Sequence, residues 1–313
     1  MARYVKVSAL SVTACEAKAK PQNMDMVEYV ISHLEARLSR VMCDKPDLVV
    51  LPEVCDRPAG MTVEQTKAYY AQRQDSVLAY LQRKAKENHC YIAYPAYMEQ
   101  PDGTNWNCIR MIDRNGEVMG CYNKNYPTPR EMDGMNVRCG QDATIFDCDF
   151  GRVGAAICFD LNFDDYRLRL KEANPDMIIF SSNFHGGILQ NFFAYDTRSY
   201  LVCALGFARI PGGIISPVGD RIAESTTYYD FVTETLNLDY AVCHLDDNMM
   251  KIQMAREKYG PALKLHDPGH LGAVLLSSES DAFTMDDIIR EFEIERLDEY
   301  LERTCQQRKT HMA

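Results

Sequence analysis

The sequence lacks several features that would assign it to a familiar functional class. No stretch approaches the ~18 consecutive apolar residues a membrane span requires. The opening residues, MARYVKVSALSVTACEAKAK, alternate and carry charge where a signal peptide has a continuous apolar core. Cations are in short supply: 34 Lys and Arg against 45 Asp and Glu leave a formal net charge of -11. Such a balance argues against a nucleic-acid backbone or an anionic membrane surface as partner. Neither a CxxC pair nor an HExxH segment occurs among 12 cysteines and 7 histidines. A zinc site is therefore not expected. Tryptophan occurs once, at Trp106, and is read as packing at the start of a hairpin. With no disulfide framework implied, the cysteines read as small core residues of a cytoplasmic protein.

What is present is the balance of a large globular domain. The 313 residues are 46% hydrophobic and 25% charged, enough to bury a sizeable core. Residues 4–14 alternate as a strand, and an apolar stripe at helical spacing runs over about 23–43. KPDLVVLPE then reads as a buried strand bracketed by Pro46 and Pro52, with Glu53 just past its end. One helix is expected over about 62–88 and a strand over CYIAYPAYM. Asn115-Gly116 marks a hairpin whose outgoing strand ends near Lys124. The segment PTPREMDGMNVRCGQD reads as a loop holding Glu131. A second phrase, ANPDMIIFSSN, repeats the proline, aspartate and apolar run and ends in polar residues up to His185. KYGPALKLHDPGH reads as irregular, and 284–308 as one charged amphipathic helix. The expected organisation is a main domain over 1–280 and a C-terminal helical extension over 281–313, packed on that domain or at an oligomer interface.

The most informative stretch is FGRVGAAICFDLNFDD, residues 150–165. Val153 to Ile157 form a short small-residue strand of the kind buried on both faces of a sheet. Asn162 is placed to cap a following helix whose first turn carries Asp164 and Asp165. Cys158 thus falls at the carboxyl end of a strand, the edge of an α/β sheet where ligands bind. Glu53 and Lys124 lie past two other strand ends, and one sheet edge can gather all three. A thiol needs a base, which a buried carboxylate supplies, and a tetrahedral oxyanion needs a cation or N–H donors. Singly, each residue also has an ordinary reading as surface acid, surface lysine or core cysteine; as a set they suit acyl transfer.

With LVVLPE around Glu53, GEVMGCYNKNY around Lys124 and RVGAAICFD around Cys158, in that order, the chain resembles the nitrilase superfamily of carbon–nitrogen hydrolases over about residues 4–270. The resemblance implies an α/β fold, a four-layer α-β-β-α sandwich, and a Glu-Lys-Cys triad. In it Glu53 is the general base, Cys158 the nucleophile and Lys124 the stabiliser of the tetrahedral intermediate. Glu131 falls where many members carry a second glutamate that positions lysine and substrate. The backbone N–H of Phe159 is then the second oxyanion donor, and members assemble as homodimers or larger homo-oligomers. The substrate implied is a small amide or carbamoyl compound, cleaved through a thioester with release of ammonia or an amine. Asn162 and His185 are further candidates on the substrate side, each weighed against a purely local backbone role.

The sequence departs from the family where substrate is held. Members acting on N-carbamoyl amino acids often carry arginines in the slots filled here by Leu161 and Asn162. A carboxylate-bearing substrate is accordingly less favoured, unless an arginine from elsewhere, such as Arg57 or Arg209, takes over. Phe159-Asp160 in place of the Trp-Glu of many nitrilases leans towards amidase chemistry. The alternatives left open are a nitrilase or acyltransferase using the same triad, a catalytically idle binding relative, and a metal-dependent phosphoesterase.

Overall fold

A computed structural model describes the chain apart from residues 208, 209 and 313. It contains two compact units, one of residues 6–235 and one of residues 1–5 with 236–313.

The larger unit is built on two six-stranded mixed sheets. The first runs in the order β12-β1-β2-β3-β4-β5, where β1 is Tyr4–Leu10, β2 Leu48–Val50, β3 Tyr91–Glu99, β4 Asn105–Ile112, β5 Val118–Asn123 and β12 Phe231–Asn237. The second runs β11-β10-β9-β8-β7-β6, with β6 Ile145–Cys148, β7 Gly151–Ile157, β8 Met177–Ser182, β9 Tyr200–Leu205, β10 Gly213–Ile215 and β11 Arg221–Glu224. Each sheet has a parallel trio at its heart, β1-β2-β3 and β7-β8-β9, extended by antiparallel strands. The trio strands are apolar on both faces: Leu48, Val49, Val50, Ile178, Ile179 and Val202 are fully buried, as parallel strands covered on both sides must be. The sheets meet face to face, and the buried Ser181 hydroxyl donates across to the Leu51 carbonyl at 2.8 Å.

Helices cover the outer faces. On the first sheet lie α1 (Met26–Met42), α2 (Val63–Arg73) and α3 (Ser76–Asn88), sharing one core with Val49, Leu51, Ile92 and Tyr94. The second sheet carries α5 (Asp164–Ala173) and α6 (Ile188–Thr197), with a short α4 (Pro129–Met135) between the sheets in sequence. The result is the expected α-β-β-α sandwich. The single helix expected over 62–88 is broken in two, because Gln74 takes a left-handed φ of 43° and ends the first piece. The segment expected to be a loop holds α4, which starts on a capping box made by Thr128 and Glu131, with Pro129 at its first turn.

The smaller unit has its own sheet, β13-β15-β14, of β13 Tyr240–His244, β14 Leu263–His266 and β15 Ala273–Ser278. Its helices are α7 (Met249–Tyr259), α8 (Met285–Phe292) and α9 (Leu297–His311). The 284–308 helix is therefore two, separated at Glu293, which caps α8 in the left-handed region. Its apolar stripe is largely covered: Ile288, Ile289 and Ile294 share one core with Val274 and Leu276, Leu297 is buried as well, and Ile289 is the most exposed of the four at 7%. Leu301 alone of that stripe's leucines is left open, at 42%. The final helices fall in the compact unit of residues 1–5 and 236–313.

Candidate active site

β2 ends because Pro52 cannot continue the ladder, and Glu53 follows with its side chain turned inward, 6% exposed. Lys124 follows β5 and is 1% exposed. Its ammonium donates to Glu53 Oε1 and to Glu131 Oε2, both at 2.8 Å. One cation thus sits between two carboxylates. Burial alone would push its pKa down, but the Glu53 and Glu131 carboxylates outweigh that and hold it above the usual lysine range. Glu131 feels burial upward and Lys124 downward, and the lysine prevails, so its carboxyl stays below the ordinary glutamate value.

Further donors fix the two carboxylates. Asn107, fully buried in β4, donates its side-chain amide to Glu53 Oε1 and to Glu131 Oε1, each at 2.8 Å. The Asn183 backbone N–H donates to Glu53 Oε2 at 3.1 Å, and the Tyr97 hydroxyl to Glu131 Oε1 at 3.2 Å. The Thr128 N–H reaches Glu131 Oε2 at 2.8 Å, completing the cap of α4. Asn107, Asn183 and Tyr97 escaped the sequence reading. Asn183 had a signal, because it ends the second proline-aspartate phrase much as Glu53 ends the first.

Cys158 opens a short 3-10 turn directly after β7, with a left-handed φ of 49°. A non-glycine residue in that region stores strain, of order 1–3 kcal/mol. Burial and then the Glu53 charge push its thiol pKa up to about 12, against the opposing influence of Lys124, the Ser182 hydroxyl and the Asn183 amide. The resting nucleophile is a neutral thiol. Asp160 holds the turn in place: its carboxylate accepts from the Tyr122 hydroxyl at 2.7 Å, the Ile157 N–H at 2.8 Å and the Tyr126 N–H at 2.9 Å. Burial raises its pKa to about 6 despite those donors.

Glu53, Lys124, Glu131, Cys158 and Asn183 together line one pocket of about 450 Å³, within the usual range for small ligands. The three remaining candidates do not line it. Phe159 turns its ring edge-on to Phe163 at 5.3 Å, leaving only its backbone beside the thiol. Asn162 is exposed, and its amide folds back onto the Phe159 carbonyl at 3.0 Å. It does not cap α5, whose N-cap is Phe163. His185 satisfies its own loop, Nδ1 accepting from the Gly187 N–H at 3.0 Å, and burial followed by the Arg221 charge lowers its pKa. Of the two arginines named as possible carboxylate partners, Arg57 lines the pocket, and Arg209 lies outside the described residues. His266 and His270 stand four residues apart, at the end of β14 and on a turn, and no three metal-ligating side chains gather among the described residues.

Two mixed sheets face to face between helices, with a strained cysteine above a buried Glu-Lys-Glu cluster, define a nitrilase-type α/β protein. The chain belongs to the carbon–nitrogen hydrolase family, whose profile matches residues 13–226. It is 22% identical over 266 residues to the chloroplastic omega-amidase of Arabidopsis thaliana, covering 76% of this chain and 70% of that one. It is 25% identical over 114 residues to the human deaminated glutathione amidase, covering 32% of this chain. The chain spans only 35% of the human protein's length. An amidase from Nesterenkonia sp. AN1, with the acetamide moiety of fluoroacetamide added covalently at its active-site cysteine, shares the fold at a TM-score of 0.64. That likeness covers 75% of this chain and 90% of the other at 14% identity.

Proposed function

We propose that the protein is a cysteine-dependent hydrolase that cleaves a non-peptide carbon–nitrogen bond, amide or carbamoyl, of a small molecule. The observation that carries this reading is Lys124 bonded at 2.8 Å to both Glu53 and Glu131 in the pocket that Cys158 lines. A thiol with a pKa near 12 does not ionise on its own at neutral pH. Attack therefore has to be coupled to proton removal, and Glu53 is the base within the cluster.

In the first half-reaction the thiol proton passes to Glu53 as Sγ bonds the carbonyl carbon. Lys124 and the Phe159 N–H carry the oxyanion. The C–N bond then breaks, and the nitrogen leaves with the proton from Glu53. In the second half, Glu53 takes a proton from water, hydroxide adds to the thioester, and the S–C bond breaks to return the thiol and release an acid. Glu131 holds Lys124 in place. No metal or organic cofactor takes part.

Cytoplasmic residence belongs to the same proposal, supported by all twelve cysteines being unpaired; among the described residues no helix is long and apolar enough to cross a membrane. So does self-association, supported by exposed Leu168, Ile188 and Phe192 on the packed pair α5 and α6. The test is ammonia release across amides, carbamoyl compounds and nitriles, with intact mass spectrometry of Cys158. An acyl adduct on Cys158 that turns over supports the reading. Turnover that survives Cys158→Ala overturns it.

A further inference from the structure

The larger unit has a second pocket, of about 760 Å³, that shares no lining residue with the one at Cys158. It opens where α2 gives way to α3, beside β3, β4 and β5. Arg110 of β4 and Tyr70 of α2 line it, each only 7% exposed. Both carry a buried polar atom with no hydrogen-bond partner among the described residues, Arg110 Nε and the Tyr70 hydroxyl. The Arg110 guanidinium lies 5.9 Å from the Tyr94 ring centre, a packing role that leaves its donors unanswered. Its carboxylate contact is Asp75 at 3.3 Å, a side chain 78% exposed, and an ion pair so open to water is worth little. Arg73, in the same wall, shows a completed arrangement: its three nitrogens donate to Asp56 and to the Tyr97 and Gln74 carbonyls. A buried guanidinium with less than that lacks an acceptor. Asp75 is also the N-cap residue of α3, yet its side chain does not cap the helix, so the positive end of α3 borders the pocket as well. Leu78, Met98 and Val118 make the wall otherwise apolar, and Glu99, the remaining carboxylate of the lining, is exposed.

We propose that this pocket is a second binding site, for a small monocarboxylate with a short hydrocarbon body. The head sits on Arg110 and the body lies along Leu78, Met98 and Val118. A guanidinium offers Nε and a terminal nitrogen as parallel donors, the pattern a carboxylate matches, and the Tyr70 hydroxyl supplies a third. The incoming head takes the place of the weakly held Asp75. Released from Arg110, that aspartate is at the position from which a side chain caps α3. The site does not rest on the hydrolase reading, since neither Glu53, Lys124 nor Cys158 lines it.

The test uses the whole protein and a diazirine-bearing pentanoate, which bonds to neighbouring residues on illumination. Peptide mass spectrometry should place the adduct on the segments that carry Leu78, Met98 or Val118. Hexanoate should suppress it, whereas hexanol or inorganic phosphate at the same concentration should not. Arg110→Met should cut the adduct at least about tenfold, the size of a charge-assisted hydrogen bond, and Tyr70→Phe, which removes only the hydroxyl, about threefold. Arg110→Lys keeps the charge and should keep part of the labelling. Because Asp75 is solvated, Arg110→Met strands no buried charge, and its melting temperature should be no lower than that of the wild type. An adduct confined to the Cys158 pocket, one that hexanol or phosphate suppresses as well as hexanoate does, or one that survives Arg110→Met overturns the site. An Arg110→Met protein that melts lower, together with unchanged labelling of Tyr70→Phe, makes Arg110 a cation of the fold alone and overturns it as well.

Discussion

Two buried ion clusters start three residues apart in the larger unit and differ in every respect that matters for chemistry. Glu53 shares Lys124 with Glu131 at the floor of an open pocket. Asp56 meets Arg73 alone, with the Tyr94 hydroxyl donating to the same carboxylate at 2.6 Å and the second arginine nitrogen donating to the Tyr97 carbonyl at 2.8 Å. Asp56 is 1% exposed and Arg73 5%, and Asp56 does not reach the pocket wall. Burial of charge is common to both, so burial alone does not mark a catalytic group. The distinguishing feature is imbalance. One cation against two carboxylates leaves a proton acceptor in the pocket that the thiol lines, whereas Asp56 and Arg73 are matched one to one, with Tyr94 as a further donor, away from the pocket wall.

The comparison can be broken at its chemical end first. Replacing Cys158 by Ala should lower kcat/KM at least ~10⁴-fold with an unchanged melting profile; activity within tenfold of wild type would end the nucleophile assignment. Glu53→Gln should cost roughly 10³-fold in turnover. The same change removes the charge that helps to raise the Cys158 thiol pKa to about 12, so it should speed iodoacetamide labelling at pH 8. In the wild type, labelling should still be climbing at pH 10, because a thiol with a raised pKa gains thiolate until the pH passes it. A plateau below pH 8 would contradict the neutral resting thiol.

The matched pair should respond in stability instead. Arg73→Met strands the Asp56 carboxylate in the core and should cost about 3 kcal/mol of unfolding free energy by denaturant titration, while activity per folded molecule stays within about threefold. A large activity loss at unchanged stability would place Arg73 in the working site. The smallest effects sharpen the contrast between two capping boxes. Thr62→Ala at α2 should cost about 1 kcal/mol and leave KM alone. Thr128→Ala at α4 should cost a similar amount and also raise KM several-fold, because that cap includes Glu131.

Much of this was legible from residues alone, for definite reasons. Glu53, Lys124 and Cys158 each follow an apolar run that could only be a strand, and polar groups at strand ends are easy to place. Asn107 was not readable, since a polar residue within a strand is indistinguishable from one facing solvent until the facing sheet is known. α4 hid behind proline and glycine, although Thr128-Pro129-Arg130-Glu131 carries a capping-box spacing that could have been seen. The break in the C-terminal helix has no glycine to announce it, because Glu293 itself takes the left-handed turn. β15 escaped because β14, one of its two partners, falls in KYGPALKLHDPGH, which reads as irregular.

One oxygen atom, Glu131 Oε2, accepts from both the Lys124 ammonium and the Thr128 N–H that starts α4. The lysine and the helix are therefore mechanically joined. A single carboxylate oxygen is thus shared between the cation of the cluster and the first turn of a helix, so a change at Glu131 disturbs the Lys124 contact and the start of α4 together.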